Sequence, residues 1–518
     1  MKRSIISLIA AACVASLLLL SGCKGGGDLT VDVDKTVTDK HLDYSLYANS
    51  MGTYDDNNEI VKKWEEMFNC SFRFEGAAVD WMETMCLRAN SDDLPELFFF
   101  VQNDPNYMEA YANMVKNGLV APLSDYVTKE ETPYLYALLN ADCFKNLAID
   151  GKMYFMPCPA PGYGNTIYVR KDWLDRLGIA EPKTTEEFEE MLRAFTEDDP
   201  DGNGKNDTYG MAASKVFDWI SFFKIGFGCE PGWSKQADGT YELDAFSSNY
   251  RDYLTWMSGL YEKGYIKNEF FLYEDSDALN DFFNGKCGVC QYNGSKWTGG
   301  MTYTISKLDP NAVIDVLPMP SEKAEGGYYA NGDWWGGWSI AYDAEEPMRL
   351  VRFLEYLQSP DGMEERLYGL KDIHYSKDAD GNITPIYENR LKTGLFGISE
   401  DGQPRDMFQI GMYFGGDYRI ENGEMVNHAS DSIYMEPEMA KKTFEYAKNL
   451  KRNFPMDVMD LGTEYSSVYA RVYDRIVTYS VRIISGTISV DEGLAKMRSL
   501  SEQDGYQKLQ DIIKSHYD

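Results

Sequence analysis

"DYSLYANSMGTYDDNNEIVKKWEEMFNCSFRFEGAAVDWMETMCLRANSDDLPELFFFVQ", residues 43–102, is the stretch that decides the fold. Three of its segments, DYSLYAN (43–49), SFRFEGAAV (71–79) and ELFFFVQ (96–102), read as strands, and Glu59 to Phe68 and Trp81 to Ala89 between them read as helices. Strand and helix in strict alternation imply a parallel sheet wound by helices. Ligands collect at the carboxyl ends of such strands. Here those ends hold Asn49, Ser50 and Tyr54, then Asp80 and Trp81, then Asn103 and Asp104.

A second unit begins near PGYGNTIYVRKDWLDRLGI (161–179), where Gly162 and Gly164 flank Tyr163 and suggest a hinge. TIYVR reads as a strand, Lys171 to Leu177 as a helix closed by Gly178, and Thr184 with Glu187 as the capping box of the next helix. Phe188, Met191, Leu192 and Phe195 share one face of that helix. Further on, AVIDVLPMP (312–320) reads as a strand and NGDWWGGWSIAY (331–342) follows it. Pro347 then starts a helix with Met348, Val351, Leu354 and Leu357 at helical spacing.

The first residues give the compartment. Lys2 and Arg3 precede an uncharged apolar run from Ile5 to Leu20, short for a bilayer span and typical of a secretory signal. Leu20-Ser21-Gly22-Cys23 resembles the lipobox of bacterial lipoproteins, which implies that Cys23 is lipidated, with palmitate among the acyl chains, and becomes the mature N-terminus. Lys24 and the glycines 25–27 read as a flexible tether. The formal charge of −33 opposes contact with phosphate backbones, so nucleic acid is not an expected partner. Seven cysteines beyond Cys13 and Cys23 are an odd, scattered set and argue against a disulfide framework. Cys287-Gly-Val-Cys290 has no second pair to complete a zinc site and reads as two strand cysteines.

Taken in order, SDDLPEL, GKMYFMPCPAPGYGNTIYVRKDWLDRLGI, PKTTEEFEEMLRAFTEDDPDGNGKNDTYG, GGWSIAY, FLEYLQSPDGMEERLYGLKDIHY and GTISVDEGLAKM make the chain resemble the extracellular solute-binding lipoproteins of bacterial ABC importers, family 1 type, in the oligosaccharide-binding branch. The resemblance implies a two-lobed periplasmic-binding-protein-like α/β fold. Each lobe would be a helix-flanked, mostly parallel sheet, with a hinge of crossing segments between them and ligand held in the cleft. The expected division is 1–22 signal peptide, 23–40 lipidated cysteine and tether, 41–162 with about 334–395 lobe 1, and 163–333 with about 396–518 lobe 2. It also implies a monomer on the outer face of the cell membrane, partnered by permease subunits of an importer, with no catalysis.

TEDDPDGNGKNDTYG (196–210) places oxygen ligands at Asp199, Asp201, Asn203 and Asp207, with the Lys205 carbonyl available and Gly204 at the turn, the spacing of the first nine positions of an EF-hand calcium loop. Gly210 replaces the glutamate such a loop ends on, so it is no EF-hand, and a solvated Asp/Gly turn is the alternative. In the resembling family a similar loop is a structural calcium site outside the cleft, commonly with a further acid where Thr208 stands here.

Sugars offer apolar faces ringed by hydroxyls and call for aromatic platforms beside Asp, Asn or Arg. The candidates by position are Asn49, Trp81, Asp104, Tyr163, Trp219, Trp297, Asp333, Trp334 and Trp335, with Trp233 a further tryptophan of the second lobe. For each tryptophan a core position is the competing reading. His374 is expected to be a packed histidine. A lipid-anchored glycoside hydrolase, which needs two carboxylates across the sugar, stays open as an alternative, as does a ligand-loading subunit of a sensor.

Overall fold

The computed structural model describes residues 38–48, 59–75, 81–91, 93–101, 105–159, 165–215, 221–230, 232–293, 298–321, 334–379, 381, 383–386, 418–421, 423–427, 437–447 and 462–518. The chain divides into Met1–Thr30, outside the described residues, and one compact unit from Val31 to Asp518. Cys23 therefore lies outside the described residues.

In chain order the elements are β1 (Leu42–Tyr47), α1 (Glu59–Phe68), β2 (Cys70–Glu75), α2 (Trp81–Ala89), β3 (Leu97–Val101), α3 (Pro105–Lys116), α4 (Pro133–Leu139), β4 (Met156–Pro159), β5 (Asn165–Arg170), α5 (Lys171–Leu177), α6 (Thr185–Glu197) and β6 (Tyr209–Met211). A hairpin β7 (Trp233–Lys235) and β8 (Tyr241–Leu243) leads to α7 (Ser248–Glu262), α8 (Asp275–Phe283), β9 (Cys287–Asn293), α9 (Thr298–Leu308) and β10 (Ile314–Leu317). Then come β11 (Trp334–Ile340), α10 (Pro347–Gln358), α11 (Pro360–Tyr368) and two small hairpins, β12 (Tyr375–Lys377) with β13 (Ile383–Pro385) and β14 (Tyr418–Glu421) with β15 (Glu424–Asn427). Helices α12 (Pro437–Ala447), α13 (Gly462–Ile484), α14 (Val490–Asp504) and α15 (Tyr506–Tyr517) end the chain.

Local sequence sets these elements. Ile60, Val61, Trp64 and Phe68 of α1 are buried at helical spacing. All five residues of β3 are buried, which is why LFFFV shows no alternation: both faces of the strand are covered. Gly178 ends α5 in the left-handed region with φ of 67°, and the reciprocal Thr184–Glu187 capping box opens α6.

The first sheet has the order β2-β1-β3-β11-β4 and the second β10-β5-β9-β6. One core gathers residues from Leu42 to Cys158 and from Trp334 to Leu357, and another gathers Ile167 to Met319 with Tyr465 to Ile513. A third, smaller cluster around Phe282, Cys290, Ile305 and Val316 belongs with the second sheet. Helix α13 packs on α7, α14 and α15 and also lies against α3, so the two sheet units touch through these helices as well.

The sheets are more mixed than a mostly parallel expectation allows. Ladders β1–β2, β1–β3 and β6–β9 are parallel, whereas β11 runs against β3 and β4, and β5 against β9 and β10. Both reversed strands come directly after a passage between sheets, β4 to β5 and β10 to β11. A chain leaving one sheet at its carboxyl edge enters the next at the corresponding edge, so it must run opposite to the resident strands.

Candidate ligand edge and calcium loop

The register shows which loops the fold gathers. Gly336 pairs with Val101 and Trp334 with Pro159, so the start of β11 lies beside the carboxyl ends of β3 and β4. Tyr47 at the end of β1 pairs with Phe98. The chain segments carrying Asn49, Asp104, Tyr163 and Asp333 all depart from or arrive at this one edge. In the second sheet Asn165 pairs with Asn293, and Leu317 with Ile167, so Tyr163 precedes, and Trp297 follows, strand ends that are neighbours. Trp219 follows the end of β6. Asn49, Asp104, Tyr163, Trp219, Trp297 and Asp333 themselves lie outside the described residues, and so do the side chains of Trp81, at the start of α2, and Trp335, in β11.

Trp334 is the exception, and it corrects an expectation. Its side chain is fully buried, stacked on Phe155 at 5.1 Å and edge-on to Phe100 at 5.9 Å. A ring enclosed by core aromatics offers no face to a sugar. Glycines explain how the WWGGW run fits: a Cβ at Gly336 would collide with the Phe100 carbonyl and the Phe99 ring, and one at Gly337 with Phe155. Trp233 is likewise buried, with its Nε1 donating to Tyr465 Oη at 2.9 Å and its ring stacked on Tyr506 at 5.6 Å.

The edge also holds groups with no local sequence signal. Glu75 ends β2 and takes Arg73 at 2.6 Å and Arg88 at 2.5 Å. The Arg88 guanidinium stands over Tyr47, 5.6 Å from the ring centre. Arg88 reaches this position from the last turn of α2, a relation set by packing rather than by spacing. In the second unit, just past β6, Ser214 Oγ donates to Asp275 at 2.7 Å and Lys215 pairs with Glu274.

The loop from Asp199 to Asp207 is tightly wound. Asp199 has φ of 47°, Gly202 of 70° and Gly204 of 78°. Asp199 accepts from the backbone N–H of Asn203 and Gly204 at 3.0 Å each, and the Asn203 carboxamide donates to Asp201 at 2.7 Å and Asp207 at 3.1 Å. Desolvation and the neighbouring Asp199 and Asp207 charges raise the Asp201 carboxyl above its ordinary range. At Asp199 the backbone donors outweigh desolvation and lower it. Among the described residues no three His, Cys, Asp or Glu side chains stand together as a metal cage. Here the Asn203 amide occupies the middle of the loop. The acid-to-threonine change has a structural reading: Thr208 is buried and its Oγ1 donates to the Phe195 carbonyl at 2.8 Å, so it faces the helix and not the loop. No side chain fits at Gly210, where a Cβ would stand 2.8 Å from Leu192 Cβ and 2.9 Å from the Tyr265 carbonyl. The Asp199, Asp201 and Asp207 oxygens are here taken by backbone N–H groups and the Asn203 carboxamide, not gathered around a cation position.

His374 is buried and its Nδ1 accepts from the Leu370 N–H at 2.9 Å, a packed histidine as expected. Cys287 and Cys290 are buried in β9 without a disulfide, and burial pushes both thiols above their ordinary range.

The family model for bacterial extracellular solute-binding proteins matches residues 58–364. The chain is 27% identical over 376 residues to the polygalacturonan/rhamnogalacturonan-binding protein YtcQ of Bacillus subtilis, covering 71% of this chain and 73% of YtcQ. It is 32% identical over 304 residues to the lipoprotein LipO of Bacillus subtilis, covering 54% and 58%. The fructooligosaccharide ABC transporter substrate-binding protein FusA of Streptococcus pneumoniae is 24% identical over 352 residues, 62% of each chain, so the matches to LipO and FusA span less than two thirds of those proteins. In structure, FusA in complex with kestose superposes over 92% of this chain and 99% of FusA, with a TM-score of 0.68 at 19% identity. A FusA EF-hand mutant gives a TM-score of 0.69 over the same shares. These superpositions establish the two-lobed fold.

Proposed function

Because the chain belongs to the bacterial extracellular solute-binding proteins, we propose that it captures an oligosaccharide between the carboxyl edges of its two sheets and delivers it, unaltered, to the permease of an ABC importer. The observation that carries this reading is the register that sets β3, β4 and the start of β11 side by side, and with them the segments bearing Asp104, Tyr163 and Asp333. Relatives named for polygalacturonan and for fructooligosaccharide support a carbohydrate ligand. Asn49, Trp81, Asp104, Tyr163, Trp219, Trp297, Asp333 and Trp335 are the proposed contacts, and Trp334 is withdrawn from that set.

Calorimetry against a glycan panel tests the proposal. Binding should make the particle more compact in small-angle scattering, as lobe closure requires. Trp335→Ala should weaken the binding by about 1–3 kcal/mol, ten- to hundredfold, through loss of apolar stacking area. The ligand should come back unchanged; a new reducing end after incubation would replace capture by hydrolysis. Full affinity in Trp335→Ala would take that residue out of the site.

The protein is proposed to be held on the outer face of the cell membrane as a monomer by acyl chains on Cys23, a reading supported by the Leu20-Ser21-Gly22-Cys23 run and by the similarity to a lipoprotein. Two acyl chains hold stably where one holds weakly. Cys23→Ala should move the protein from the detergent phase to the medium, and retention in detergent would refute the anchor.

A calcium ion in the Asp199–Asp207 loop is proposed to brace the second lobe, supported by the spacing of Asp199, Asp201, Asn203 and Asp207 and by the EF-hand of FusA. A ligand at one hundred times its Kd adds about 2.7 kcal/mol to the folded state. Chelation should lower the melting temperature accordingly, and Asp201→Ala should abolish that response. An unchanged melting curve with no metal in elemental analysis would make the loop an ordinary turn.

A further inference from the structure

Ile266 bridges Met211 in parallel, and the Met211 N–H donates to the Tyr265 carbonyl at 2.9 Å, so this segment carries the second sheet one step past β6 in the direction β6 runs. The chain leaving Ile266 therefore comes out at the edge where β6 and β9 end. It turns there: Phe270–Leu272 form a single 3₁₀ turn, the Lys215 N–H donates to the Tyr273 carbonyl at 2.8 Å, and α8 starts back at Asp275. Phe270 is fully buried and holds the turn in place, which leaves Phe271 40% and Leu272 69% exposed. The next aromatic is already engaged, since the Lys267 ammonium stands 4.3 Å from the centre of the Tyr273 ring.

Among the described residues, the exposed large aromatics are Tyr136, Phe271 and Tyr342. Tyr342 follows β11, whose last residue Ile340 pairs with Leu97 at the start of β3, so it lies at the end opposite the ligand edge. Tyr136 is on α4, which packs on α10. Of the three, Phe271 is the one on a segment leaving a sheet at its ligand edge, and the exposed Asn268 and Glu269 come just before it. A flat apolar face beside oxygen acceptors is what a sugar ring requires. Neighbouring strands lie about 4.8 Å apart, and Ile266 is three steps from β5, the strand the chain enters on crossing from the first sheet, so about 14 Å separates them. A sugar chain seated at the crossing segments reaches that far only when it is several units long. We infer that Phe271 is the stacking platform of a distal subsite, at the β6 side of the second sheet, engaged by longer oligosaccharides and not by short ones. This rests on the proposed capture of an oligosaccharide.

The test is calorimetry on the full chain with glucose, xylose, fructose and galacturonate oligomers of two to six units, comparing the parent with Phe271→Ala and Phe271→Tyr. In the parent, affinity should rise with length within the series that binds. Phe271→Ala should lower the affinity of the longest oligomers about tenfold and leave the shortest within about twofold, at the parent's melting temperature. Phe271→Tyr keeps the flat face and should keep the gain with length. A parent affinity flat with length, or a loss in Phe271→Ala that is equal at every length or absent at all of them, would overturn the inference while leaving oligosaccharide capture in place. So would a melting temperature several degrees lower in Phe271→Ala, which would mark the ring as part of the core. Binding of no oligomer by the parent would overturn the capture reading and this inference with it.

Discussion

Trp334→Ala should cost the unliganded protein about 3–5 kcal/mol of stability, as deletion of a large enclosed aromatic does. The ring has no exposed surface and lies between Phe155 and Phe100, which in turn stacks on Tyr111 at 3.8 Å. Neighbours on rigid strands cannot collapse into the space, so the cavity persists and its lining loses dispersion contacts. Chemical denaturation of the variant is the measurement. A loss below about 1 kcal/mol together with weakened sugar binding would return Trp334 to the ligand site.

Glu355 should make stability fall as pH rises through neutrality. It is fully buried on α10, and its two oxygens accept the Tyr134 and Leu135 N–H groups at 3.0 and 2.7 Å, capping the first turn of α4 from another helix. Desolvation raises its carboxyl from 4.5 to about 7, against the two backbone donors and Arg352, whose guanidinium is itself held by Glu131. The folded state therefore keeps this proton to higher pH than the unfolded chain does. The group's contribution is fully present below about pH 4.5 and is lost as pH rises through about 7, a swing of up to about 3 kcal/mol. Unfolding midpoints at pH 5 and pH 8 should differ less in Glu355→Gln than in the parent, whatever offset the amide brings. Parallel pH profiles for the two proteins would refute the assignment.

Both effects come from side chains whose environment no local pattern announces. Trp334 lies next to Trp335 in the sequence, and nothing in NGDWWGGW separates the two; its burial follows from a register that sets β11 between β3 and β4. Glu355 lies among apolar residues on an amphipathic helix, where its charge signals exposure, yet α4 brings two orphan N–H groups to meet it. Arg88 and Glu75 are thirteen positions apart and join only because α2 folds back over the sheet.

What the sequence by itself determined is whatever depends on neighbours along the chain. Alternation of apolar runs and helical faces specified β1 to β3 with α1 and α2; the Thr184–Glu187 box and Gly178 specified helix ends; and the Asp and Gly spacing from 199 to 207 specified a wound loop. These rest on backbone geometry and hydrogen bonds spanning a few residues, so local composition suffices. The tertiary structure alone decided that β5 and β11 run against their neighbours, that Thr208 turns away from the loop, that Gly210 admits no side chain and that Trp334 belongs to the core. Each of these depends on contacts between segments remote in sequence, where close packing admits one arrangement and the local pattern is compatible with several.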